Sequence, residues 1–165
     1  YGLQMLPLKT AIDLVSKTGY DGIEIAAMPG YPGDPNLLSS EKRKEIKTQR
    51  SNLGLRIDAI MAGIVPSEEP SKRTTNLDRL QQCFDFAQEL STGNHRPLVQ
   101  TILGGKSDKK PSDAFIEEIG TWKDLALKNQ TVLAIKPHRG HTISSPDQGI
   151  KLLRACLKSQ GSVWF

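Results

Sequence analysis

The densest concentration of reactive side chains is Lys136-Pro137-His138-Arg139-Gly140-His141, which contains two of the chain's three histidines. Imidazole, ammonium and guanidinium groups together can carry protons and hold negative charge. The run continues an apolar stretch, Thr131–Lys136, that reads as a strand. Side chains alternate along a strand, so Ala134, Lys136 and His138 share one face while Leu133 and Ile135 take the other. In parallel α/β folds, sites lie at the carboxyl ends of the strands, which is where Lys136 and His138 fall. The competing reading is a solvated basic turn. Against it, a lysine on an inward strand position needs a polar partner.

Glu24 poses the same problem with the opposite charge. In Gly22-Ile23-Glu24-Ile25-Ala26 two isoleucines flank a single carboxylate, and an ionised carboxylate on an inward face is costly unless paired or hydrated. Glu24 could serve as a base, a metal ligand or the ion-pair partner of Lys136; a purely structural ion pair is the plain alternative. Gln100 and Asp58 repeat the pattern more weakly.

Three other signals are set aside. Leu103-Gly104-Gly105-Lys106-Ser107 contains a GKS, but Gln100 sits where a phosphate loop needs its first glycine, and no helix follows directly. Glu41-Lys42-Arg43-Lys44-Glu45 reads as a solvated helix face. His95, close to a proline in a loop, reads as an exposed bystander.

The elements that must position these residues alternate along the chain. Strand-like runs are Gly22–Ala27, Leu55–Ala62, Leu98–Leu103, Thr131–Lys136 and Ser162–Phe165, and Tyr1–Leu6 resembles the tail of another. Helical stripes fill the gaps. Leu8, Ile12 and Val15 mark the first, and the second runs from about Ser40 to before Gly54. Leu77, Leu80, Cys83, Phe84, Ala87 and Leu90 mark the third, and Phe115, Ile116, Ile119, Trp122 and Ala126 the fourth. The fifth has the clearest start, with Ser145 as cap, Pro146 at the first helical position and Gln148 completing a capping box. Its stripe is Ile150, Leu153 and Leu157, and Gly161 ends it. This alternation predicts a parallel sheet, either doubly wound or a (β/α) barrel. The dinucleotide fingerprint is absent after the first strand, which lowers the doubly wound option.

The 165 residues carry 22 Lys+Arg against 18 Asp+Glu, a net charge of +4, with 37% hydrophobic and 5% aromatic residues. That composition supports one packed core in a single domain over residues 1–165 and excludes a disordered or collagen-like chain. The apolar runs are too short for a membrane span, and the mild, scattered positive charge gives nucleic-acid binding little support. Cys83 and Cys156 sit in helical apolar patterns without disulfide or zinc spacing, as expected for buried thiols in a reducing, cytoplasmic setting. The chain opens on Tyr1 and shows no leader-like segment.

The segments Thr18–Ile25 (TGYDGIEI), Met28–Pro35 (MPGYPGDP), Leu103–Gly105 and Leu133–Gly140 (LAIKPHRG), with Ser145-Pro146 opening the next helix, together resemble the xylose isomerase-like TIM-barrel family of sugar phosphate isomerases and epimerases. The resemblance implies an α/β (β/α) TIM barrel, of which the chain would hold strands 1–5 and the start of strand 6 of eight. A full barrel takes about 250 residues, so the expectation is a chain truncated at its C-terminus. The family's fifth-strand Glu, a metal ligand and proton-transfer residue, stands as Lys136 here, and an ammonium cannot ligate a cation. A divalent metal (Mn, Zn, Fe or Co) is thus implied by the family but opposed by Lys136, with His138 the remaining candidate ligand.

On this basis the expected function is a sugar isomerase or epimerase-like enzyme. Glu24 or His138 would move the proton, Lys136 would hold the oxyanion or form a Schiff base, and Gln100, Arg139 and His141 would bind substrate. The alternatives are a non-catalytic sugar-binding barrel and, less favoured, an abasic-site endonuclease-like hydrolase. The expected partner is a small sugar, with homo-oligomerisation as a way to cover open sheet edges.

Overall fold

The computed structural model describes residues 2–93, 95–103 and 111–156. Four strands, β1 (Gly22–Ala26), β2 (Arg56–Met61), β3 (Leu98–Ile102) and β4 (Leu133–Lys136), form a parallel sheet in chain order. Five α-helices accompany them: α1 (Leu8–Lys17), α2 (Ser40–Asn52), α3 (Pro70–Glu89), α4 (Asp113–Lys128) and α5 (Pro146–Cys156). The result is the partial (β/α) barrel that the alternation predicts.

Each strand connects to the next through a helix because parallel neighbours cannot be joined by a tight turn. One face of the sheet is covered by these helices. Ile25, Ile60, Val99, Thr101, Leu133 and Ile135 are all buried there, against a core that includes Leu80, Phe84, Ile119 and Trp122. Burying each large apolar side chain contributes roughly 1.5–3 kcal/mol, so this face holds the sheet in shape. The opposite face carries Glu24, Gln100 and Lys136 among small or aliphatic neighbours, as the register below shows.

Two expected strands fare differently. Residues 2–5 form turns, with the Leu6 amide donating to the Leu3 carbonyl, and Pro7 leads straight into α1. An extended segment needs a strand to pair with, and among the described residues none pairs with it. Ser162–Phe165 and Gly161 lie outside the described residues, as do Gly104–Ser107.

The predicted capping of α5 is present. The Ser145 hydroxyl accepts from the Gln148 amide at 3.4 Å while Gln148 Oε1 accepts from the Ser144 and Ser145 amides at 2.7 and 3.2 Å. This reciprocal pairing fixes where the loop leaving β4 must end.

Candidate active site on the inward face of the sheet

The strand register decides which side chains share the inward face. Glu24 lies opposite Ala59, and Ala59 opposite Leu98; Met61 lies opposite Gln100, Gln100 opposite Ala134, and Ile102 opposite Lys136. Glu24, Gln100 and Lys136 therefore stand on one face, each a dyad nearer the carboxyl end than the one before. They form a polar diagonal across a wall otherwise made of Ala26, Ala59, Met61, Leu98, Ile102 and Ala134. Glu24 and Lys136 are exposed on it and Gln100 is half-buried.

Gln100 Nε2 donates to Glu24 Oε2 over the top of β2. The small side chain of Ala59 between their strands leaves room for this reach. The bond orients the carboxylate, whose residue is exposed. Glu24 is thus paired with Gln100. Among the described residues it makes no ion pair with Lys136, because the diagonal places the two at opposite ends.

Beyond Lys136 the chain turns sharply. The His138 amide donates to the Ile143 carbonyl at 2.9 Å and the His141 amide to the His138 carbonyl at 3.0 Å. Gly140 takes φ +79°, a conformation that L side chains rarely adopt. The turn stacks His138 and His141 with ring centroids 4.4 Å apart and tilted by 57°. His138 Nδ1 faces the Arg139 carbonyl at 3.1 Å, so the proton sits on Nδ1 and Nε2 is left as the acceptor of the neutral ring. Arg139 is exposed on the same turn. The structure thus gathers Lys136, His138, Arg139 and His141 at one strand end and joins Glu24 to Gln100 further down the wall.

Asp58 is placed differently from its expected site. Ile23 pairs with Ile57 but Glu24 with Ala59, so Asp58 is the extra residue of a β-bulge at the amino end of β2. Its carboxylate pairs locally with Arg56 Nε at 3.2 Å and lies 3.4 Å from His95 Nε2. His95 is accordingly no bystander, since its Nε2 also contacts the Ile57 carbonyl at 3.0 Å.

The loops over the carboxyl ends of β1 and β2 are anchored from beneath by charged residues that the sequence reading passed over. Arg79 of α3 is 6% exposed, pairs with Asp34 at 2.5 Å and donates to the Ala27 carbonyl. Asp34 also accepts from the Gly30 and Asn36 amides at 2.9 and 3.0 Å. Burial alone would push the Asp34 carboxyl up. The Arg79 hydrogen bond, the two amides and the Arg79 charge together outweigh it and hold the carboxyl below the usual range. Under the second loop, buried Glu118 accepts from the Ser67 amide at 2.6 Å and from Asn76 Nδ2 at 2.7 Å, and the Thr101 hydroxyl donates to the Ile64 carbonyl. A signal for both was present, because Arg79 is the neighbour of Leu80, and Glu118 that of Ile119, on helix faces built to be buried.

Among the described residues, no group of three or more His, Cys, Asp or Glu side chains is placed to hold a metal ion. Glu24 is engaged by Gln100, and Lys136 offers no lone pair in its charged form. These residues do not by themselves fit a divalent cation.

A family profile described as a xylose isomerase-like TIM barrel matches residues 12–161, and the chain belongs to that family. Solved structures share the fold. The probable 3-DHS dehydratase AsbF of Bacillus anthracis is 14% identical, with a TM-score of 0.69 over 93% of this chain and 55% of its own. D-allulose 3-epimerase of Methylomonas sp., in complex with D-allulose, is 18% identical, with a TM-score of 0.66 over 90% of this chain and 52% of its own. A xylose isomerase-like TIM barrel protein of Mycobacterium smegmatis, in complex with magnesium, gives 17% and 0.64 over 90% and 52%. The chain therefore spans about half the length of each. No functionally curated protein matches it in sequence.

Proposed function

We propose that the chain supplies part of the active site of a sugar isomerase or epimerase-like enzyme, moving a proton next to a carbonyl of a small sugar or sugar derivative. The polar diagonal Glu24–Gln100–Lys136 carries the reading. It sets a carboxylate, an amide and an ammonium on an otherwise apolar wall, facing the side where a barrel encloses its substrate. Family relatives that act on sugars, the D-allulose epimerase among them, support the substrate class.

In this scheme Glu24, held by Gln100, abstracts the proton from the carbon beside the carbonyl. The negative charge that develops on the carbonyl oxygen is stabilised by the second amide hydrogen of Gln100, beside Glu24. The Lys136 ammonium holds the far end of the substrate, and both effects strengthen as the substrate displaces water from the wall. Glu24, protonated by that step, delivers the proton to the neighbouring carbon, while His138 Nε2 accepts the hydroxyl proton that moves to the carbonyl oxygen. His141 and Arg139 hold hydroxyl groups at the strand end. No step is assigned to a metal.

Aldose–ketose and epimer pairs incubated with the intact protein and followed by NMR test this. At least one pair should interconvert, and Glu24→Gln should slow it by about 100-fold or more, the usual contribution of a general base. Unchanged turnover in that variant would remove Glu24 from the mechanism.

The replacement of the family's Glu by Lys136 favours a second reading, a sugar-binding barrel without turnover. A sugar that raises the melting temperature while remaining chemically unchanged would select it.

A further inference from the structure

We infer that the substrate of this site carries a carboxylate, gripped by Lys136 at the carboxyl end of β4. The inference rests on the proposed function and adds the substrate's charge to it.

The charges that surround Lys136 lead to this. Its ammonium is exposed on the inward face, and among the described residues it has no ion-pair partner. The loop that follows, residues 137–145, contains Arg139 and two histidines but no acidic side chain. Among the described residues, the acids of the loops after β1 and β2 are largely committed elsewhere. Asp34 is buried against Arg79, and Glu69 is engaged by Lys72 and Ser71, which leaves Glu68 exposed. A cation at a strand end with no ion-pair partner among the described residues, and with further donors beside it, is matched best by an anion, since charge-assisted hydrogen bonds are about twice as strong as neutral ones.

The wall also says how much negative charge it accepts. Glu24 contributes one negative and Lys136 one positive charge to the diagonal. A carboxylate at Lys136 leaves its neighbourhood balanced. A phosphate dianion would add a second negative charge, which Lys136 alone leaves unbalanced and which Arg139 on the following turn would have to meet. The substrate would thus lie along the diagonal, with its carboxylate at Lys136 and its hydroxylated end toward Gln100 and Glu24.

Calorimetric titrations on the intact protein at low salt test the assignment, with D-gluconate set against D-glucose, D-xylonate against D-xylose, and inorganic phosphate as a separate arm. An aldonate should bind about tenfold or more tightly than its neutral aldose, and added salt should shrink that advantage. Lys136→Met should abolish the advantage, and Lys136→Arg should retain part of it. Melting curves confirm that both variants are folded. Equal binding of aldonate and aldose overturns the inference, as does an advantage that survives Lys136→Met. Phosphate outcompeting the aldonates reassigns the ammonium to a phosphoryl group and overturns it too. Binding or turnover of neutral sugars alone defeats the carboxylate and leaves the proposed function standing, whereas failure of every sugar defeats both.

Discussion

An arginine as buried as Arg79 persists because its charge meets Asp34 and its second terminal nitrogen donates to the Ala27 carbonyl, which together outweigh a buried Nε without a partner. Removing one partner leaves the other as an uncompensated buried charge. Arg79→Met should therefore destabilise the fold by about 3–5 kcal/mol in denaturant melts, far more than removal of an exposed pair such as Lys72–Glu69. The pH dependence follows from the lowered carboxyl of Asp34. Its folded pKa lies below the unfolded one, so its contribution is complete above the unfolded value near about 4 and fades as pH falls toward the folded one. Wild-type melting temperature should drop across that acid window, and Asp34→Asn should start lower and flatten the drop. At this scale the sequence was readable where strand alternation alone decides, as for Glu24, Gln100 and Lys136. It was misleading at Asp58, because one bulged residue reverses the alternation and nothing in the residue types marks it.

Among the elements, helices announced themselves better than strands. Pro146, Ser145 and Gln148 gave the start of α5 because capping is local chemistry between residues a turn apart. The start of α3 was harder to see. Its first two turns, Pro70–Asn76, hold no apolar stripe, so only Pro70 at the first helical position marked it. The loop between β1 and α2 depends on Gly33, where an added Cβ would stand 2.7 Å from the Ala26 carbonyl oxygen and 2.6 Å from Ile25. Gly33→Ala should cost about 1–3 kcal/mol through that overlap, measured by chemical denaturation. Ser145→Ala, which only loses a cap, should cost about 1 kcal/mol.

Across the whole molecule, the parallel sheet and the barrel architecture followed from the alternation of strand and helix, whereas the diagonal followed only from the register. Register is set by contacts between segments far apart in the chain, which periodicity within one segment does not report. The same core protects the thiols. Cys83 is fully buried and its thiol is pushed up to about 11, mainly by loss of solvent, while burial also raises Cys156. Both should resist alkylation at pH 8 in the folded protein and react on unfolding.

The most direct test of the proton-transfer account is deuterium incorporation from solvent. The intact protein is incubated in deuterium oxide with ketoses, aldoses and aldonic or keto acids, and exchange at the carbon beside the carbonyl is read by NMR. Enzyme-dependent exchange on at least one substrate, lost in Glu24→Gln, is the predicted result. Tight binding of a sugar with no exchange at any carbon, or exchange that persists unchanged without the Glu24 carboxylate, would contradict it.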